Sequence, residues 1–331
     1  MPQGGRRHMG AMTECTVGVM AHNEAATIGR LLHELLAQRL QTVAIRRIVV
    51  VASGCTDGTA ETVQRIAGAD PRPRLLVEAE RRGKASAINR FLPHVVGEVV
   101  VLESADTIPD RDTIENLVSP FANPSVGMTG GRPIPTNDPN RFWGHAAHLL
   151  WGLHHDIALL HPKLGELVAF RNVVTSIPED TAVDEASIEA AIMAQGLTVR
   201  YVPEAIVHNA GPQTLGDFLC QRRRIHAGHL HLRDTSRYEV STMRVSTILR
   251  ALARRLEPAP RKLAWTAAVV ALEAWGRTLG MFDYRVRKRN PFVWDIAQTT
   301  KGFRFGQRGG SAEGADIEPW SSSSVGFRGT G

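Results

Sequence analysis

Lysine, cysteine and aromatic side chains are scarce in this chain of 331 residues, and no apolar run is long. The three cysteines, Cys15, Cys55 and Cys220, are scattered and odd in number. They form neither a disulfide framework nor a metal-ligand spacing, so a reducing, cytoplasmic setting is expected. The longest apolar approach, Leu263–Ala274, contains Glu273 and falls short of the ~20 residues a membrane span needs. The amino terminus carries no apolar signal core, which argues against secretion. Aromatics make up only 6% of the chain and are not interleaved with a basic run, so nucleic acid is not an expected partner. No internal repeat is visible.

What is present describes an ordinary globular chain. With 43% hydrophobic and 22% charged residues, it can bury a full α/β core and still carry a smaller appendage. The net charge is +6, and the cations are overwhelmingly arginine. Guanidinium groups grip phosphate oxygens in pairs, so anionic phosphates or an acidic membrane surface suit this balance.

Apolar periodicity predicts strands over Thr16–Met20, Arg47–Ala52, Arg74–Glu78 and Val99–Leu102. Between them it predicts helices over Glu24–Arg39, Glu61–Ala67 and Lys84–Leu92. This alternation implies a parallel sheet with helices on both faces. After Gly131 the rhythm changes to a helix over Phe142–Leu160, a strand over Gly165–Arg171 and a helix over Asp184–Gln195. A short strand, Val199–Tyr201, precedes a turn at Pro203, and Gln221–Leu232 is helical, as is Thr247 to Met281 with a break near Pro258 and Pro260. Residues 1–12 read as a disordered leader, 13–240 as the main domain, 241–305 as a helical extension and 306–331 as a disordered Gly/Ser tail.

Chemistry-bearing residues cluster where strands end. Glu103-Ser104-Ala105-Asp106-Thr107 follows the buried run Glu98–Leu102. An acidic strand end can hold a divalent cation at the carboxyl edge of an open sheet. Ala21-His22-Asn23-Glu24 leads into a helix whose first N–H groups can hold an anion or a base edge; a simple cap by Asn23 explains it equally. Within Ser53–Thr59, Gly54 and Gly58 permit a tight turn, and Asp57 can accept hydrogen bonds from a uracil or ribose. A plain Asp-Gly turn is the commoner case. Glu80-Arg81-Arg82-Gly83-Lys84 opens a helix with three cations, which can grip phosphate or merely be solvated.

In this order the motifs resemble those of family 2 glycosyltransferases. The matching residues are Ala21–Glu24, Ser53–Thr59, Gly83-Lys84-Ala85 with Asn89, and Ala105-Asp106-Thr107. Gly127, Gly130-Gly131-Arg132, Tyr201–Ala205 and Gln221 with Arg224 continue the match, which runs from about Thr16 to about Leu232. The resemblance implies an α/β fold of GT-A type: a Rossmann-like, mostly parallel sheet flanked by helices, with a helical C-terminal extension. It also implies a nucleotide-diphosphate sugar as donor, UDP being the family's commonest nucleotide, and Mn or Mg as cofactor. Asn23, Glu24 and Asp57 would then contact the nucleoside, and Lys84 the nucleotide side of the donor. Ser53, Ala105, Gln221 and Arg224 would complete that site, and Asp106 and His208 would hold the metal.

Two departures from the family's pattern stand out. Its Asp-x-Asp triplet is Ser104-Ala105-Asp106 here, and strand alternation should point Glu103 to the opposite side from Ser104. Asp106 alone can ligate Mn or Mg, because phosphates and waters supply most of the oxygens. The family's Glu-Asp catalytic pair is also altered. Its spacing from Gly196 lands on Asp184-Glu185, in inverted order, whereas Glu179-Asp180 keeps the order but lies further upstream. Helix register favours Glu185 as the base that takes the acceptor's proton, with Asp184 beside it. Two dipole-favoured acids in a first helical turn are the plainer alternative.

Gln221-Arg222-Arg223-Arg224-Ile225 resembles the family's Gln-x-x-Arg-Trp, with Ile in place of Trp. Such arginines can clamp a leaving diphosphate, while the missing Trp argues against processive polymer synthesis. His226, His229 and His231, and the pair His154-His155, are expected as acceptor-side polar groups rather than a zinc site. Trp265, Trp275, Phe282 and Tyr284, with Arg285, Arg287, Lys288 and Arg289, form either a packed helical pair or a peripheral contact with the inner membrane face. The expectation is a non-processive, inverting glycosyltransferase of cell-envelope glycan synthesis, acting on a glycan, lipid-linked or small-molecule acceptor. A sugar-phosphate nucleotidyltransferase would want a Gly-rich loop where Ala21–Glu24 stands. A catalytically degenerate scaffold is the other alternative, supported by Ser104.

Overall fold

A computed structural model of the chain describes residues 12–236, 238 and 245–288. The expected tail, the expected leader apart from Met12, and Arg289 lie outside the described residues. The first half is β1 (Thr13–Ala21), α1 (Ile28–Leu36), β2 (Val43–Ser53), α2 (Thr59–Ala69), β3 (Pro73–Glu78), α3 (Lys84–Phe91) and β4 (Val99–Ser104). Then come β5 (Ile108–Pro109), α4 (Thr113–Val118), β6 (Val126–Pro135), α5 (Phe142–Ala158), β7 (Leu167–Arg171), α6 (Asp184–Ala194) and β8 (Thr198–Asn209). Three helices follow: α7 (Leu215–Ser236), α8 (Val245–Arg254) and α9 (Pro260–Arg285).

The strands form one sheet in the order β3-β2-β1-β4-β7-β6-β8-β5. Strands β3, β2, β1 and β4 are mutually parallel, as are β6 and β8. Strand β7 runs antiparallel between β4 and β6, and β5 runs antiparallel to β8. The expected mostly parallel α/β sheet is therefore present. Its central strands are almost continuous apolar runs because both faces are covered. Ile48, Val50, Val99 and Val101 pack into one core, with Leu31, Leu32 and Leu35 of α1. Val49, Val51, Val100 and Leu102 pack into the other, with Ile88 and Phe91 of α3.

Local differences from the expected elements have simple causes. Helix α1 begins at Ile28 because the Glu24 carbonyl accepts from both Thr27 and Ile28 N–H, making residues 24–27 a turn. No turn stops the chain at Pro203; β8 runs through it. Pairing with β6 shifts register between Gly130 and Arg132, and a proline is tolerated where the ladder is already interrupted.

The C-terminal helices are packed against the domain. Ile248, Ala251 and Leu252 of α8 and Val269 of α9 meet Ala146, Leu149 and Leu153 of α5. Trp265 is committed to this packing, edge-on to Phe142 and under the Arg261 guanidinium at 4.3 Å. Among the described residues, no helix is long and apolar enough to cross a membrane.

Candidate active site

A cavity of about 650 Å³ lies along the carboxyl edge of the sheet, where β1, β2 and β4 end and the antiparallel β7 begins. Open α/β sheets place ligands at this edge. Glu24, Ser53, Lys84, Ala105, Asp106, Glu185, Gln221 and Arg224 all line it. Asn23, Asp57, Asp184 and His208 do not.

The first two loops explain part of that division. Asn23 adopts a left-handed φ of 55°, and its Oδ1 accepts from Thr56 N–H at 2.8 Å. Asp57 accepts from Ala25 N–H and Thr59 N–H, each at 3.0 Å, and from the Thr59 hydroxyl. Burial works against its charge, yet these hydrogen bonds hold the carboxyl below its ordinary range. Both residues thus tie the β1 and β2 loops together instead of facing the cavity. Ser53 does face it, with a buried hydroxyl that has no hydrogen-bond partner.

The next loop delivers a cation. Gly54 has φ +57°, and a Cβ there would lie 2.8 Å from the Arg81 backbone nitrogen, so the β2 and β3 exits pack backbone to backbone. Gly83, at φ +99°, turns the chain so that Lys84 opens α3. Its Nζ lies 2.7 Å from Asp184 Oδ2 and 2.8 Å from Glu185 Oε1. Both acids sit in the first turn of α6, where the helix dipole favours them. Burial and the neighbouring Glu185 charge push Asp184 up; burial also opposes ionisation of Glu185, but Lys84 wins and holds it down. Glu185 is therefore the ionised carboxylate facing the cavity, with Asp184 buried behind it. The upstream Asp180 faces His231 at 3.1 Å and lines no part of the cavity.

At the end of β4, Ser104, Ala105 and Asp106 face the cavity. Glu103 points the other way: it is 3% exposed and accepts from the Thr107 hydroxyl. Burial, with smaller contributions from Glu166 and Asp106, pushes its carboxyl up to about 8. Because the folded value lies above the ordinary 4.5, its contribution favours the native state at low pH and is lost as pH rises toward 8. In EDTA, the stability of Glu103→Gln relative to the parent should rise by about 1.4 kcal/mol per pH unit between about pH 5 and 8. Urea unfolding at several pH values checks this; a flat difference would refute it.

Glu166 is a cavity residue that the motifs did not reveal. It precedes β7 at a left-handed φ of 62°. Burial, then the charges of Asp106 and Glu185, push its carboxyl up to about 7 against the pull of Lys84 and Arg224. Arg224 is itself lowered to about 10 by burial, despite Asp184 and Glu185. His154 and His229 line the cavity, whereas His155, His226 and His231 do not.

His208, expected as a metal ligand, does not line the cavity. On β8 it pairs with Ile108, and its Nε2 lies 3.1 Å from Asp110 Oδ1. Its neighbour Asn209 faces the cavity instead, as strand alternation requires. Among the described residues, no group of three or more His, Cys, Asp and Glu side chains is gathered as a self-sufficient metal site. The cavity also has apolar lining from Leu149, Leu150 and Leu153 of α5, Leu249 and Leu252 of α8, and Val270 of α9, beside the charged Glu273 and Arg277 of α9.

Comparison with known proteins identifies the family. Residues 16–177 match the model for glycosyl transferase family 2, and residues 99–294 match that for glycosyl transferase family group 2. The chain belongs to the family 2 glycosyltransferases. The second match runs through α8 and α9, so these helices fall within the family's unit. Poly-beta-1,6-N-acetyl-D-glucosamine synthase of Staphylococcus aureus is 25% identical over 216 residues, 61% of this chain and 51% of that protein. Glycosyltransferase AglD of Haloferax volcanii is 30% identical over 135 residues, 40% of this chain and 22% of that one. The chain thus spans about half the length of the first relative and less of the second. The mannosyltransferase PcManGT from Pyrobaculum calidifontis, solved in complex with GDP-Man and Mn2+, is similar at a TM-score of 0.54 and 26% identity. That similarity covers 86% of this chain and 83% of the other, and supports the GT-A fold.

Proposed function

We propose that this glycosyltransferase family member moves a sugar from a nucleotide-diphosphate donor to an acceptor hydroxyl, with inversion at the anomeric carbon. One observation carries the reading: a single cavity gathers Lys84, Asp106, Glu185 and Arg224, drawn from four separate parts of the chain. Cationic Lys84 and Arg224 suit a diphosphate, and ionised Glu185 suits proton removal from an acceptor. The likeness to a mannosyltransferase seen with GDP-Man and Mn2+ supports the donor class and leaves UDP and GDP as the nucleotides to compare.

The residues present fit a divalent cation such as Mn or Mg. Asp106 offers a hard carboxylate oxygen at the cavity wall, the type both ions prefer, and a bound diphosphate brings more oxygens of the same kind. Held by Asp106, such a cation would neutralise diphosphate charge. The chain's own part is to set Lys84 and Arg224 against the leaving group and Glu185 against the acceptor. Direct attack assisted by one base gives inversion.

The test is nucleotide release from UDP-glucose, UDP-N-acetylglucosamine and GDP-mannose, with Mn2+ or with EDTA. Slow hydrolysis needs no acceptor. Release from at least one donor with Mn2+ and its loss in EDTA are expected; no release from any donor would contradict the proposal.

The apolar lining from α5, α8 and α9 favours a lipid-linked acceptor. Leu249 and Val270 belong to it while remaining 59% and 44% exposed, which leaves them available to an apolar chain. Leu249→Asp with Val270→Asp should raise KM for a lipid-linked acceptor by about tenfold or more, the loss of roughly one buried aliphatic contact. Donor hydrolysis should stay unchanged. An unaltered KM would point to a wholly polar acceptor.

A further inference from the structure

We propose that Glu166, in the turn that leads into β7 beside Ser104, supplies a second carboxylate to the divalent cation. The inference rests on the reading of this cavity as a metal-assisted donor site. Strands β4 and β7 are antiparallel, with Glu103 opposite Leu167. Glu166 immediately precedes Leu167 at the start of β7, and its left-handed φ of 62° sets its side chain outside the strand's alternation, so its position is given by the cavity it lines. The Ser104 hydroxyl lies 3.4 Å from the Glu166 carbonyl oxygen, which fixes the two side by side.

Ser104, Asp106 and Glu166 all line the cavity. Asp106 is close enough for its charge to act on the Glu166 carboxylate. Among the described residues, the Glu166 carboxylate makes no hydrogen bond or ion pair. Glu103, the acid adjacent in sequence, is excluded because it is buried on the opposite face against Thr107. A cation between Asp106 and Glu166 would thus meet two hard carboxylate ligands, one just after β4 and one just before β7. Divalent Mn or Mg would take its remaining oxygens from phosphate and water.

The experiment is a Mn2+ titration of the full chain saturated with UDP or with GDP, following free Mn2+ by its electron paramagnetic resonance signal. Glu166→Gln should weaken Mn2+ binding by at least about tenfold. Adding Ser104→Asp to Glu166→Gln should recover most of the loss, because Ser104 lines the same cavity wall beside Glu166 and its new carboxylate would stand two residues from Asp106. Mn2+ binding by Glu166→Gln equal to the parent, while Asp106→Asn loses it, would overturn the inference and leave the donor-site reading intact. A loss in Glu166→Gln that Ser104→Asp does not recover would also overturn it, assigning the effect to general damage. No Mn2+ binding by the parent with either nucleotide would overturn both.

Discussion

Replacing Glu185 by Gln should lower sugar transfer by about 10²–10⁴-fold, the usual contribution of a positioned general base. Nucleotide binding should remain near the parent value, because the substitution keeps the shape of the side chain and removes only its charge. The expectation follows from the asymmetry of the acidic pair. Glu185 faces the cavity and is held ionised by Lys84, whereas Asp184 is 1% exposed and pushed toward its neutral form by burial. Asp184→Asn should therefore act mainly through the orientation of Lys84 and Glu185, with a smaller loss. Rates for the two variants, measured beside nucleotide affinity, check the assignment. Equal activity in Glu185→Gln and the parent would move the base elsewhere.

Lys84→Met should have the largest effect on stability. Lys84 is 2.7 Å and 2.8 Å from two buried carboxylates, and its own side chain is only 17% exposed. Removing one partner of a buried ion pair leaves uncompensated charge and typically costs about 3–5 kcal/mol. The pH dependence carries the sign. In the parent, Glu185 is held below its ordinary 4.5, so its contribution is present above that value and lost as pH falls through the lower folded value. Without the ammonium, burial raises both acids above their ordinary 3.8 and 4.5. The deficit of Lys84→Met should therefore be smallest near pH 4 and grow as pH rises through the ordinary carboxylate range. Urea unfolding at about pH 4.5 and about pH 7.5 measures it. A deficit that does not grow with pH would show that Lys84 does not neutralise the pair.

Lys84, Asp106, Glu185 and Arg224 were legible in the sequence because each sits where a helix starts, a strand ends or a helix face repeats. Local periodicity places those elements, the resemblance to family 2 motifs supplied the roles, and the structure brings all four residues to one cavity. Asn23 and Asp57 were less legible because the same side-chain oxygens that bind ligands also hold loops. Their hydrogen bonds to Thr56, Ala25 and Thr59 decide between those uses, and only the folded loops show this. His208 was assigned to the metal on family resemblance, yet strand alternation turns Asn209, not His208, into the cavity. Glu166 left no local signal. Its position depends on β7 pairing antiparallel with β4 across a separation of 62 residues. A charged residue just before a fully buried strand was the available hint. The run through Pro203 was likewise hidden, because the interruption in the β6–β8 ladder is a property of the pair.

The most direct test is an anomalous difference map from a crystal of the full chain with Mn2+ and UDP or GDP bound. The Mn2+ peak is expected within about 2.5 Å of an Asp106 carboxylate oxygen, as for a hard cation with oxygen ligands. The diphosphate should lie against Lys84 and Arg224. A nucleotide and cation bound away from the carboxyl edge of the sheet would contradict the proposed donor site.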